Sequence, residues 1–342
     1  MLKRFTTLSP QKNMLFLSFL LPLFVMMVIY ATMGVYPFGN STLLTVDLGQ
    51  QYVDFFSYYR TTLLSDPSAL FFSFTKSFGG EMLGLWAYYL MSPFNLIFLL
   101  FPQSQLPLAV TILILMKVSA SGLTFAHLLI SRFEGKGLLV PSFAVSYALM
   151  GYVIVNQLNV MWLDGLVFLP LIILGLEKLL SGESGLYYSL FLAVMLLSNY
   201  YIGFMICVFL VFYYLFAFSR QELFSTNNLK AQLKHFFTQS ARFIGYSLLG
   251  AGFAAVLLLP GLERPPFGDV VVVLGQRLGE HMSARPVRHE IEVVRRLRVQ
   301  RGEDAVAARV GDRRRRQPVD HIGIPGRPPP QLALPEPTTQ HA

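Results

Sequence analysis

The sequence contains little charge for its length and almost no cysteine. Only 13% of its 342 residues are charged, whereas a soluble domain averages about 25%. This low fraction leaves too little polar surface for a soluble fold of this size. The single Cys207 lies in an apolar block. It cannot form an internal disulfide, and we interpret it as a small apolar side chain.

The chain also lacks the common motifs of metal and nucleophilic sites. It has no Gly-rich phosphate loop and no G-x-S-x-G motif. The six His residues are scattered without the spacing of zinc ligands, and only His127 and His235 precede residue 263. A divalent metal is compatible with the sequence, but no motif supports one, and the sequence identifies no certain cofactor.

The sequence is rich instead in long apolar blocks. Hydrophobic residues make up 54% of the chain, and uncharged blocks of about 18 residues or more are typical of membrane spans. Residues 14–35 carry no charge and follow Lys3, Arg4 and Lys12. The block is longer than the apolar part of a signal peptide, and no A-x-A-like site follows it. It predicts an uncleaved first span with a cytoplasmic N-terminus.

The remaining blocks predict an all-α polytopic transmembrane helix bundle with about seven spans. Residues 186–218 would form about 50 Å of helix, too long for one hydrocarbon core of about 30 Å, so we predict a break at residues 198–201. Residues 82–101 contain Pro93 and Asn95 and are predicted to lie at the outer interface or to re-enter. The other predicted spans are residues 106–130, 138–155, 160–176 and 243–259.

We predict a membrane domain at residues 1–262, with an external loop at 36–105 and a cytoplasmic loop at 219–242. Beyond it the composition changes abruptly. All Lys and Tyr residues precede residue 263, and the cations of residues 264–342 are all Arg. This change predicts a disordered Arg/Pro/Gly/Val-rich tail, joined to the chain as foreign sequence. The alternative is a basic arm for anionic lipid or nucleic acid, which its predicted external position disfavours.

Two carboxylates, Asp47 and Asp54, follow the first span. Their spacing places them on one face if the segment is helical. A carboxylate at the outer surface can act as a general base, or bind a metal ion or a sugar hydroxyl. The alternative is a solvated loop acid and a helix cap.

Polar residues inside the spans are further candidates. Lys117 lies near the middle of its span, where it could neutralise a lipid phosphate or a partner acid, or else snorkel or pair internally. Asp164, close to Trp162, could face a cavity or the interface. Asn199 and Tyr200 occupy the predicted break, which could form a cavity wall or a simple turn.

Four stretches resemble the bacterial YfhO family: VDLGQQYVDFFSYYR (46–60), GGEMLGLWAYYLMSPFNL (79–96), MWLDGLVFLPLIILGLEKL (161–179) and SNYYIGFM (198–205). The resemblance covers residues 1–260. Family members are longer, with more spans and a C-terminal extracytoplasmic part. The chain therefore resembles the N-terminal portion of a member.

The resemblance implies a glycosyltransferase of the GT-C type in the cell membrane of a Gram-positive bacterium. Its implied partners are a polyprenyl-phosphate-linked sugar donor, a cell-envelope polymer acceptor such as lipoteichoic acid, and membrane lipids, with no nucleic acid. By position, Asp47 would be the catalytic base and Asp54 the second candidate.

Other residues would bind the substrates. Arg60 or Lys117 would neutralise the departing phosphate, although Arg60 could equally be an interfacial anchor. Asp164, Asn199 and Tyr200 would line the cavity.

Two other functions stay open. A transporter or flippase would be expected to show related halves or paired broken helices, and the sequence has one break at Asn199 and no repeat. An inactive truncated product agrees with the change in composition near residue 262.

Overall fold

A computed structural model of the chain describes residues 10–74, 79–133, 137–220 and 229–262. All of them belong to one unit, Met1–Gly268, and a second unit, Asp269–Ala342, lies outside the described residues. The predicted tail at 263–342 therefore also lies outside them.

The described chain is almost entirely helical. In chain order, the α-helices are α1 (Pro10–Thr32), α2 (Val53–Leu64), α3 (Leu83–Leu85), α4 (Leu106–Phe133), α5 (Leu139–Ala148), α6 (Gly151–Asn156), α7 (Leu163–Leu180), α8 (Leu186–Ser198), α9 (Tyr200–Ser219) and α10 (Leu229–Leu262). π-Helical turns occupy Leu48–Tyr52 and Trp86–Leu90, and 3-10 helices occupy Pro67–Leu70, Pro93–Leu100 and Gln103–Gln105. Two short strands, β1 (Phe72–Ser73) and β2 (Gly80–Glu81), pair antiparallel.

Four described helices are long and apolar enough to cross a membrane: Gln11–Thr32, Gln103–Phe133, Leu139–Asn156 and Tyr200–Ser219. A bent pair of helices adds a fifth if it forms one span. The predicted count of about seven is therefore higher than these helices support. The reasons are local: α7 carries Asp164, Glu177 and Lys178, and the 13 residues of α8 extend only about 20 Å.

The two predicted interruptions are both present. Leu83–Leu90 and Pro93–Leu100 meet at a bend of 93°, as expected for a re-entrant or broken segment containing Pro93. Between α8 and α9, Asn199 is extended, with φ −162° and ψ 107°. One prediction was wrong. Residues 229–242 belong to α10 and not to a loop, because Lys, Gln and Leu are good helix formers even where hydropathy falls.

The apolar core has two main parts. One surrounds α1, α2 and α4 and includes Tyr30, Phe56 and Phe98. The other lies among α7 to α10 and includes Ile172 and Tyr188. Small residues allow close packing of these helices: a Cβ on Gly175 of α7 would lie 2.7 Å from the Tyr188 Cα of α8.

Candidate functional site

A buried ion pair joins α4 to α7. Lys117 Nζ lies 2.8 Å from Asp164 Oδ2, and the two side chains are 1% and 0% exposed. Lys117 Nζ also donates a hydrogen bond to the Val160 carbonyl at 2.9 Å. Ser92, at the 93° bend, donates its hydroxyl to Asp164 Oδ1 at 2.8 Å. Of the alternatives predicted for Lys117, the structure contains the internal ion pair. The Asp164 side chain is fully buried and does not lie at an interface.

The end of the first arm of the bent pair, Leu83–Leu90, receives hydrogen bonds from two Asn side chains. Asn95 Nδ2 donates to the carbonyls of Tyr89 and Leu90, at 2.9 and 3.0 Å. Asn199 Nδ2 donates to the Tyr88 carbonyl at 2.9 Å. Backbone groups freed by a bend inside a membrane need such partners. These two Asn residues therefore stabilise the first arm of the bent pair.

Asn199 has a second role at the start of α9. Its Oδ1 accepts a hydrogen bond from the Ile202 N–H at 2.8 Å, which makes it an N-cap. Its side chain is fully buried. Asn199 therefore links the break between α8 and α9 to the bent pair.

We expect Asn199→Ala to lower the free energy of unfolding by about 2 kcal/mol or more, because it removes a cap and leaves the Tyr88 carbonyl without its donor. Thermal unfolding in detergent measures this. Asn156→Ala is the control, since the exposed Asn156 amide bonds only to Tyr152 of its own helix. Asn199→Ser retains a capping oxygen without adding a buried charge and should recover part of the loss. Equal stability of the Asn199→Ala and Asn156→Ala variants would contradict the dual role.

Four partly or fully buried tyrosines, which we call the tyrosine wall, form a continuous cluster: Tyr52, Tyr88, Tyr89 and Tyr200. Ring centroids are 5.6 Å apart for Tyr88 and Tyr200, 4.5 Å for Tyr88 and Tyr89, and 5.3 Å for Tyr52 and Tyr89. Trp162 Nε1 donates to the Tyr88 hydroxyl at 3.4 Å, and the Tyr52 hydroxyl donates to Asn159 Oδ1 at 3.3 Å. The sequence predicted only Tyr200 of these four. The Tyr88-Tyr89 pair within one family-like stretch was the available signal.

Asp47 lies beside this wall. It is exposed, and its side chain forms no capping hydrogen bond although it immediately precedes the Leu48–Tyr52 turn. Burial is the main cause that raises the pKa of Tyr52 to about 12, and the nearby Asp47 carboxylate is the next. The preceding residue, Val46, has φ +51°. This value is strained for a β-branched side chain, and such strain is concentrated at functional sites.

The other loop candidates, Asp54 and Arg60, are less closely connected to Asp47. Asp54 is exposed in the first turn of α2. The π-helical turn between it and Asp47 interrupts the 3.6-residue period, so their spacing no longer argues for a shared face. Arg60 Nε donates to the Phe101 carbonyl at 2.7 Å. This bond links α2 to the residue that follows the 3-10 helix Pro93–Leu100. Among the described residues, neither Asp54 nor Arg60 forms a hydrogen bond or ion pair with Asp47.

A cavity of about 330 Å³ lies at the C-terminal ends of α4, α7 and α9, and Asp47 is not among the residues that line it. Its lining includes Arg132, Glu177, Tyr213 and Arg220, and Arg132 pairs with Glu177 at 3.2 Å. None of the predicted site residues lines it. In the part of the chain that the structure describes, no three His, Cys, Asp or Glu side chains converge as metal ligands.

The span-length helices and the buried ion pair define a multi-pass integral membrane protein. The family model described as bacterial membrane protein YfhO matches residues 18–264, and the chain belongs to this family. The matched range agrees with the predicted extent of the family-like portion. No curated protein and no solved structure matches the chain. Its location in a membrane follows from these findings, while the cytoplasmic N-terminus stays a prediction.

Proposed function

We propose that this membrane domain belongs to a glycosyltransferase that moves a sugar from a polyprenyl-phosphate donor to a cell-envelope polymer such as lipoteichoic acid. The observation that carries the proposal is Asp47, an exposed carboxylate that caps no helix, follows the strained Val46 and lies beside the tyrosine wall. A sugar ring has an apolar C–H face that packs on a tyrosine, and hydroxyls that bind to a carboxylate.

In the proposed reaction, Asp47 accepts the proton of the acceptor hydroxyl as its oxygen attacks the anomeric carbon. The new glycosidic bond forms while the bond from that carbon to the phosphate oxygen breaks. The departing phosphate takes up the electron pair, and a cation stabilises its charge. Arg60 fits this role better than Lys117, because Lys117 is buried and already paired with Asp164.

Reconstitution in proteoliposomes tests the proposal. The full chain is supplied with a polyprenyl-phosphate-linked radiolabelled sugar and lipoteichoic acid, and both donor binding and label transfer are measured. Transfer of label to the polymer is the expected result. Binding without transfer would identify an inactive product, and loss of both would contradict the proposal.

A transporter or flippase is the second candidate. The 93° bend and the intramembrane ion pair favour it, since broken helices and buried charges are common at transport sites. The same proteoliposomes distinguish the two, because a flippase moves the donor to the opposite leaflet without forming a new glycosidic bond.

A further inference from the structure

Ser92 occupies an unusual position at the 93° bend. It directly precedes the 3-10 helix Pro93–Leu100 at its N-cap, where a Ser hydroxyl commonly accepts a hydrogen bond from the helix backbone. Here the side chain makes no capping bond. Its hydroxyl donates to Asp164 Oδ1 at 2.8 Å, and the side chain is 2% exposed. The bend is therefore linked to α7 by a hydrogen bond to Asp164, the acidic member of the ion pair.

The arm that ends at this bend, Leu83–Leu90, carries two of the four residues of the tyrosine wall. Tyr88 and Tyr89 lie four and three residues before Ser92, respectively. The Tyr88 ring contacts Tyr200, and the Tyr89 ring contacts Tyr52. Ser92 lies between this arm and the 3-10 helix Pro93–Leu100, so its hydrogen bond to Asp164 holds the junction of the two. The end of the arm next to Tyr88 and Tyr89 is therefore held by Ser92 in addition to Asn95 and Asn199.

The chemistry of the pair argues against a purely stabilising role. A buried ion pair often contributes no more stability than apolar side chains of similar volume, because both charges lose their hydration. Charged residues inside membranes are costly and are concentrated at functional positions. Asp164 nonetheless binds Lys117 and Ser92 at once, from two different elements. Apolar residues could fill this space but could not fix the bend through a directed hydrogen bond.

We infer that Lys117 and Asp164 are positioning residues, which fix the bend at Ser92 and so hold Tyr88 and Tyr89 within the tyrosine wall. Lys117 orients the Asp164 carboxylate, whose second oxygen accepts the Ser92 hydroxyl. The consequence for sugar binding rests on the proposed function. The consequence for the position of Tyr88 does not.

Tryptophan fluorescence can measure the position of Tyr88 directly, without any substrate. The chain has two Trp residues, and Trp162 donates to the Tyr88 hydroxyl. Trp86 Nε1 is buried and has no hydrogen-bond partner, so Trp86→Phe removes no such bond. In this background, light beyond the absorption range of tyrosine excites Trp162 alone, and its emission reports whether Tyr88 has moved.

Ser92→Ala leaves Lys117 paired with Asp164 and removes only the hydrogen bond between Asp164 and the bend. We expect it to shift the Trp162 emission, and to raise KM for the sugar donor about fivefold with little change in kcat, the effect of one hydrogen bond. Ser119→Ala is the matched control, because Ser119 is equally buried and bonds only to the Leu115 carbonyl of its own helix. Ser119→Ala should leave both the Trp162 emission and the KM for the sugar donor unchanged.

Ser92→Thr retains the hydroxyl and should restore the parental emission, which separates a lost hydrogen bond from a misfolded bend. An unchanged Trp162 emission in Ser92→Ala, or an equal shift in Ser119→Ala, overturns the inference even where sugar transfer is observed. A shifted emission confined to Ser92→Ala supports it even where the parent protein neither binds the sugar donor nor transfers the sugar, and in that case the proposed function fails alone.

Discussion

Replacing Asp47 with Asn is expected to lower the rate of sugar transfer by about 10²- to 10⁴-fold, the usual contribution of a general base. Asn has nearly the shape of Asp but cannot accept the proton of the acceptor hydroxyl. Because the tyrosine wall is unchanged, donor binding should stay within about twofold of the wild type. Initial rates and donor binding in proteoliposomes measure the two effects separately.

Two further variants make this result specific. Asp66→Asn is the matched control, since Asp66 is also an exposed acid of the same region and accepts a hydrogen bond from Ser68. Asp54→Asn tests the second candidate. A full rate in Asp47→Asn, or an equal loss in Asp54→Asn, would move the base away from Asp47.

Breaking the buried ion pair on one side is expected to cause the largest loss of stability. Lys117→Met leaves the Asp164 carboxylate buried without its cation, so the free energy of unfolding should fall by about 3–5 kcal/mol. Asp164→Leu should cost a similar amount. The double variant Lys117→Met/Asp164→Leu removes both charges and should return to within about 1 kcal/mol of the wild type. Thermal unfolding of the four proteins in one detergent gives the comparison.

The partly exposed pair between Arg132 and Glu177 provides the control, with side chains 43% and 25% exposed. Arg132→Met should change stability by less than about 1 kcal/mol. If Lys117→Met lowers the free energy of unfolding by no more than Arg132→Met does, burial does not increase the destabilisation caused by breaking the Lys117–Asp164 pair. The double variant carries a second expectation: although stable, it should retain a shifted Trp162 emission, because Ser92 has lost its acceptor.

The sequence by itself determined the features that depend on local chemistry. Uncharged blocks long enough to cross a membrane predicted the membrane class, because burial of backbone in lipid demands helices. Pro93 predicted the interruption that became the 93° bend, and the polar Asn199 predicted the break between α8 and α9. The four family-like stretches predicted the family that the match over residues 18–264 confirms.

Only the tertiary structure decided which polar groups meet. Lys117 and Asp164 are 47 residues apart, and no periodicity within α4 or α7 could choose between an internal pair, a phosphate contact and an interfacial position. The packing of α4 against α7 and the bend made that choice, since a buried charge needs a partner within hydrogen-bond distance. The tyrosine wall likewise joins three distant segments, because its rings meet only after the helices have packed.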